Sequence, residues 1–175
     1  MLAVFKTLVD IALLRRDPSA LPASSGLLGG LVVLFLVLNL ALSAMVKPQS
    51  DGLELMLFAS VAFSLLWYWV LLRLFQKPER YLQTVTAIVG FGCLMTPLLV
   101  PLSAAILPFV EKPEAASPIV VLLLPVVIYI VFVTARILMA AIERPMFQAV
   151  ALVLLHTFLE PLVLSLFGGC APAGS

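Results

Sequence analysis

The sequence predicts an all-α protein: a polytopic bundle of five membrane-spanning helices, preceded by a short amphipathic helix in the membrane interface. Hydrophobic residues make up 63% of the 175 residues and charged residues only 11%, against about 25% in soluble domains. The apolar residues fall into five stretches, each long enough to cross a hydrocarbon core, with short polar turns between them. Because little chain is left over, we expect one integral membrane domain, residues 1–175.

Residues 1–16 are too short to span a bilayer, and their few polar side chains form a narrow strip. We predict an interfacial helix with its apolar side toward acyl chains. Pro18 ends the pattern, because proline disfavours helical geometry in the residue before it. A signal peptide is the alternative, but Asp10 interrupts the apolar region and Arg15 and Arg16 follow it rather than precede it.

Polar or proline-containing turns delimit the five long apolar stretches. The predicted spans cover about residues 25–46, 53–74, 82–102, 118–141 and 146–168. In the third stretch we predict a kink near Pro97 and a less regular exit after Leu102, because prolines there remove backbone hydrogen bonds. In the second span, Trp67, Tyr68 and Trp69 suit a headgroup belt.

Basic residues are distributed unequally between the two sides of this topology. Eight fall on one side, here called the basic side, and two on the other; the eight are Lys6, Arg15, Arg16, Arg73, Lys77, Arg80, Arg136 and Arg144, and the two are Lys47 and Lys112. The positive-inside rule makes the basic side cytoplasmic. We therefore expect a cytoplasmic N terminus and a periplasmic C terminus, and the short loops and Leu/Ala-rich composition favour a bacterial inner membrane.

The charge of the basic side has two interpretations. The orientation of the spans during membrane insertion accounts for most of it. Alternatively, the interfacial helix and the loop after the second span bind anionic lipid headgroups, with Lys6, Arg15, Arg16, Lys77 and Arg80 as the contacts. The expected partners are thus the lipid bilayer and either another membrane protein or a second copy of this chain. The sequence shows no nucleic-acid-binding signature, so we expect no nucleic-acid partner.

The fifth span carries the chain's single histidine, His156, and Glu160 four positions later. In a helix this spacing puts both side chains on one face. An ionisable residue at bilayer depth costs roughly 2.5 kcal/mol or more, so it faces protein or water. Two interpretations of His156 and Glu160 remain open. The pair forms hydrogen bonds that hold helices together, or it serves as a proton relay, ion site or substrate contact. Because no third metal ligand is evident, we expect no metal and no cofactor.

Helical rise extends this pair into a larger predicted cluster. At about 1.5 Å per residue, Glu160 lies roughly 20 Å from the basic edge of its span, and Asn39, Ser60 and Thr96 fall at about that depth. His156 lies one turn away. We call these five residues the polar layer.

Small residues in the spans have a packing interpretation. We predict that Gly29, Gly30, Gly90 and Gly92 permit close helix contact rather than catalysis. Cys93 is expected to pack as a small apolar residue. The sequence shows no phosphate-binding loop and no nucleophile–base pair, so we expect no enzymatic activity.

One stretch resembles a known family. The loop Lys77-Pro78-Glu79-Arg80 leads into Leu82-Gln83-Thr84-Val85, then Gly90 or Gly92, then Pro97. With five spans, short loops and an inside N terminus, this order resembles the central region of the Yip-type (Ypt-interacting-protein) superfamily and its bacterial relatives. The resemblance implies a non-enzymatic role in membrane organisation or as a partner protein.

These observations favour a non-enzymatic membrane protein that acts by association, as an accessory subunit, scaffold or membrane-organising partner. The alternative is a transporter or a proton- or ion-conducting component that uses His156 and Glu160. An intramembrane enzyme acting on lipid-linked substrates is a third hypothesis.

Overall fold

The computed structural model describes residues 2–46, 53–110 and 118–168. Within these ranges the chain forms helices and no strands, which confirms the all-α prediction. The helices are α1 (Leu2–Ala12), α2 (Ser25–Val46), α3 (Leu53–Leu74), α4 (Tyr81–Val110), α5 (Pro118–Ile142) and α6 (Met146–Gly168), with single 3₁₀ turns at Pro18–Ala20 and Pro78–Arg80. Lys47 and Lys112, assigned above to the side opposite the basic side, lie outside the described residues.

Helices α2 to α6 are each long and apolar enough to cross a membrane. Large apolar side chains point outward from the bundle; Val33 is 61% exposed, Phe158 70% and Phe147 82%. In water each such side chain would be unfavourable by about 25 cal/mol per Å² of exposed apolar area. The surface therefore suits acyl chains, and the protein is an integral membrane protein.

Three helices end on the basic side with a residue in the left-handed backbone conformation, which reverses the chain in a short turn. Leu14, Gln76 and Glu143 each adopt a left-handed backbone conformation, with φ of 61°, 58° and 54°. After α1, the Arg15 amide donates to the Asp10 carbonyl at 2.8 Å, the bond that closes a Schellman motif. These ends reverse the chain within a few residues and leave little of it between α3 and α4 or between α5 and α6.

The spans are arranged in two pairs that α5 joins. Helix α2 packs along α4 in one pair and α3 packs along α6 in the other, and α5 packs extensively on α6 and also contacts α4. Buried side chains such as Leu72, Val85, Leu138 and Ala149 fill the half of the bundle nearest the basic side. Cys93 is buried, as predicted. Among the side chains that the structure describes, close packing is thus concentrated in this half of the bundle.

Helix α1 packs on the outside of α4 and α5. Leu8 and Ala12 are buried, and the Tyr129 hydroxyl of α5 donates to the Ala12 carbonyl at 2.6 Å. The expectation that the apolar side of α1 faces acyl chains is therefore corrected. Protein covers part of that side, whereas Phe5 and Leu13 remain exposed.

Helix α4 continues to Val110, so the less regular exit expected after Leu102 is wrong. The physical reason is the solvent. In lipid, unwound backbone leaves every peptide group without a partner, whereas a helix that contains proline loses only a few hydrogen bonds. The predicted kink near Pro97 stays a prediction.

The glycines divide into two groups. A Cβ on Gly90 would lie 2.5 Å from Leu8 Cδ2, and one on Gly92 would lie 3.0 Å from an aromatic ring of α2. Close helix contact is therefore confirmed at these positions. Gly29 and Gly30 have nothing within 4 Å of a built Cβ, so the expectation of close contact within this chain is wrong for them.

The contact between α1 and α4 gives a first prediction. Gly90→Ala should lower the thermal stability of the detergent-purified protein, because the new methyl group displaces Leu8. In a Leu8→Ala background the same change should have little effect, with a coupling between the sites of roughly 0.5–3 kcal/mol. Gly29→Ala, where the space is open, is the matched control. Strictly additive effects of Leu8→Ala and Gly90→Ala on the unfolding free energy would disprove the contact.

Candidate functional site

A cavity of about 400 Å³ lies between the five spanning helices. Each of α2 to α6 contributes side chains to its wall. Asn39 of α2, Ser60 of α3, Thr96 of α4, and His156 and Glu160 of α6 all line it. The structure thus brings the five residues of the polar layer to one space, which borders the close-packed half of the bundle.

Glu160 and His156 are hydrogen-bonded to neighbouring turns of α3. The Ser60 hydroxyl donates to Glu160 Oε1, and Ser64 Oγ lies 3.1 Å from His156 Nε2. His156 Nδ1 lies 4.0 Å from Glu160 Oε2. Ser64 was not predicted, although its spacing of four residues from Ser60 matches the spacing of His156 and Glu160 and is a usable signal.

Asn39 and Thr96 form a separate pair. Asn39 Nδ2 donates to the Phe35 carbonyl at 2.8 Å and reaches Thr96 Oγ1 at 3.4 Å. Thr96 Oγ1 in turn donates to the Gly92 carbonyl at 2.9 Å. Within the described residues, no hydrogen bond joins this pair to the serine–glutamate–histidine group. The predicted single layer is therefore two hydrogen-bonded groups on different walls of the cavity.

Three aromatic rings of α3 surround the imidazole of His156. Its ring centroid lies 5.3 Å from that of Phe63, 5.9 Å from that of Trp67 and 5.5 Å from that of Tyr68. The headgroup belt expected for these aromatics is therefore corrected at Trp67 and Tyr68, which contact His156. Trp69, which is 41% exposed, faces outward and is the one member placed to meet the membrane interface.

The remaining wall of the cavity is mainly apolar. It includes Phe35, Phe91, Met95, Leu99 and Val153. In the described part of the chain, no group of three or more His, Cys, Asp or Glu side chains could hold a metal ion. The space therefore suits a mostly apolar molecule that carries one polar or charged group.

On the basic side, ion pairs join the α3–α4 turn to the end of α5. Lys77 Nζ lies 2.7 Å from Glu143 Oε2, and Arg80 pairs with the other oxygen of the same carboxylate. Arg80 Nη1 also donates to the Ala140 carbonyl at 2.8 Å, near the end of α5. Lys77 and Arg80 thus have protein partners, and their predicted contact with lipid headgroups stays a prediction.

The other predicted headgroup contacts lie in and after α1. Lys6, Arg15 and Arg16 are all exposed. Arg16 Nε lies 3.5 Å from Asp10 Oδ2, a surface ion pair that contributes little stability. These side chains are accessible to lipid headgroups, and their predicted headgroup contact stays a prediction.

The hydrogen bond between Ser60 and Glu160 gives a second prediction. Glu160→Gln keeps an acceptor for the serine hydroxyl and should leave thermal stability nearly unchanged. Glu160→Leu leaves that hydroxyl without its acceptor and should lower stability by about 1–3 kcal/mol. Thermal unfolding in detergent compares the two, with Glu54→Leu, at an exposed position of α3, as the control. Equal melting temperatures for both variants at Glu160 would refute the contact.

The ion pairs at Glu143 give a third prediction. The hydrogen bond from Lys77 and the charge of Arg80 lower the pKa of the Glu143 carboxyl below its ordinary value of 4.5. Because the pKa is lower in the folded protein, the stabilisation is present above pH 4.5 and is lost as the pH falls through the folded value. Glu143→Gln should therefore melt below wild type near neutral pH, with the difference shrinking in acid.

Glu79→Gln is the matched control for this titration, since Glu79 is exposed in the same turn and has no ion pair among the described residues. Its melting temperature should follow that of wild type across the titration. A difference between Glu143→Gln and wild type that stays constant with pH would contradict the ion pairs.

No protein family, curated protein or solved structure matches this chain. The resemblance to the Yip-type superfamily stays a prediction from the order of its motifs.

Proposed function

We propose that this protein is a membrane transporter or proton-conducting component in which His156 and Glu160 exchange protons inside a central cavity. The supporting observation is that the ionisable side chains of α6 line a space of about 400 Å³ to which all five spans contribute. Ionisable residues inside membranes are costly, and they mark solute and proton pathways.

The cavity distinguishes this proposal from a purely structural role. Polar side chains that only hold helices together need hydrogen-bond partners, and close packing would then fill the surroundings. Here the partners are present, as Ser60 and Ser64, and a cavity remains beside them. Imidazole both accepts and donates protons, and His156 Nδ1 lies 4.0 Å from Glu160 Oε2. A side-chain movement that closes this gap would let the two groups exchange a proton.

The pairing of the helices also supports a transport cycle. The acid and the imidazole lie on the α3–α6 pair, and Asn39 and Thr96 lie on the α2–α4 pair. The serine hydrogen bonds to the acid and the imidazole stay within α3 and α6, and those of Asn39 and Thr96 stay within α2 and α4. In the part of the chain that is described, one hydrogen bond at the cavity wall joins the two pairs, from the Tyr81 hydroxyl of α4 to the Leu65 carbonyl of α3. Relative movement of the two pairs therefore leaves both polar groups of the cavity intact and, of these hydrogen bonds, breaks only the Tyr81 contact, which suits alternating access.

Orientation follows from charge. On the positive-inside rule we place the basic side in the cytoplasm. We place the protein in a bacterial inner membrane, which its short loops and Leu/Ala-rich composition favour. The buried residues of the close-packed half then lie toward the cytoplasm. Glu160 lies roughly 21 Å along α6 from that side, past the middle of the bilayer.

Proton flux into proteoliposomes tests the proposal. A pH-sensitive dye inside the vesicles should report flux with wild-type protein under an imposed pH gradient and counter-ion flow. Glu160→Gln, which has the same size and shape but no exchangeable acid, should reduce the flux by about tenfold or more, in line with the loss of a general acid–base group. Glu54→Gln, an exposed carboxyl of α3 outside the cavity, should behave as wild type.

Flux that is equal in protein-free vesicles, wild type and Glu160→Gln would overturn the proposal. An accessory or scaffold role would then be favoured if the purified chain also brought another membrane protein with it or formed a stable oligomer. Gly29 and Gly30, which have open space around them on α2, belong to the type of helix face that associates in membranes.

A further inference from the structure

We infer that the cavity takes small organic cations with an apolar body, and that Glu160 is the group that balances their charge. This inference rests on the proposed function, because it names the solute class of the same site.

First, the ionisable groups around the cavity favour a cation over an anion. Glu160 is the one acidic residue on the described wall, and no lysine or arginine lines it. The other titratable groups there are His156 and Tyr68; α2, α4 and α5 contribute only neutral polar side chains, namely Asn39, Thr96 and Thr134. An anion would enter this apolar space without a permanent positive partner, whereas a cation meets a carboxylate.

The geometry of Glu160 carries the second step. Its Oε1 is held by the Ser60 hydroxyl, which orients the carboxyl group. Its Oε2 lies 4.0 Å from His156 Nδ1, beyond hydrogen-bond distance, and has no hydrogen-bond partner among the described residues. The side chain is 29% exposed. One oriented oxygen is therefore left for a ligand.

Size and wall chemistry carry the third step. A volume of about 400 Å³ lies within the range of about 300–1,000 Å³ that small-molecule pockets occupy. The rings of Phe35, Tyr68 and Phe91 and the side chains of Met95 and Leu99 line it. Apolar walls accept an apolar body, and aromatic faces attract an organic cation.

The same wall argues against an inorganic cation. Calcium takes about six to eight oxygen ligands and magnesium needs near-octahedral coordination. The described wall offers one carboxylate, and the described residues contain no cluster of three or more acidic, histidine or cysteine side chains. The hydroxyl and amide oxygens of the polar layer belong to two separate hydrogen-bonded groups, so they do not converge to replace the hydration shell of a divalent ion. An organic cation fits this wall better.

Binding of three probes of similar size tests the inference. They are benzyltrimethylammonium, which is a cation, phenylacetamide, which is neutral, and phenylacetate, which is an anion. Calorimetric titration of the detergent-purified wild-type protein near neutral pH should show the cation binding about tenfold or more tightly than the amide. Phenylacetate should bind more weakly than both.

Glu160→Gln should weaken the binding of the cation by about tenfold or more and leave the affinity for the amide unchanged. Glu54→Gln should bind all three probes as wild type does. Equal binding of cation and amide, tighter binding of phenylacetate, or no binding of any probe would overturn the inference. The ranking of probes by the wild-type protein decides the matter even if Glu160→Gln does not fold.

The outcomes separate this inference from the proposed function. Wild-type protein that conducts protons but binds no cation keeps the function and loses the solute class. Wild-type protein that binds the cation through Glu160 but gives no flux keeps the binding site and loses the transport role.

Discussion

The contact between α3 and α6 is the constraint on which the rest of the bundle depends. A carboxyl and an imidazole in an apolar core need polar partners, and α3 supplies them from residues with the same spacing of four. Ser60 meets Glu160 and Ser64 meets His156. The two contacts together set both the register and the rotation of α3 against α6. The aromatic face of α3, including Phe63, then falls against the imidazole.

This contact leads to a bundle with two different halves. Toward the basic side, residues such as Leu72, Leu138 and Ala149 fill the space between helices, and the ion pairs of Glu143 join two of the turns. Beyond that half, polar side chains lie among large apolar ones around a cavity. Among the described side chains, the bundle is therefore closely packed on the basic side and holds a cavity with polar groups past its middle, an asymmetry that fits the proposed transport role.

Helix α1 is connected to this site through packing. Its Ala12 carbonyl accepts from Tyr129, whose ring lies 6.2 Å from that of Phe91, and Phe91 lines the cavity. The tight approach of Leu8 to Gly90 holds α1 on the same stretch of α4. The segment expected to lie in the interface is thus also part of the support for one cavity wall.

Composition and stretch length by themselves determined the class of protein and the approximate extent of its spans, because each spanning helix satisfies its own backbone and needs no partner to be recognised. Helical rise is constant, so sequence position alone also placed Asn39, Ser60, Thr96 and Glu160 at a common depth. Only the tertiary structure decided how each helix is rotated about its axis. That rotation pairs Ser60 with Glu160, separates Asn39 and Thr96 from them, turns Trp67 and Tyr68 inward and packs α1 on protein. Apart from their few polar residues, the spanning helices are apolar on all sides. Their hydrophobicity therefore does not indicate which face meets protein, because lipid and protein interior are equally apolar.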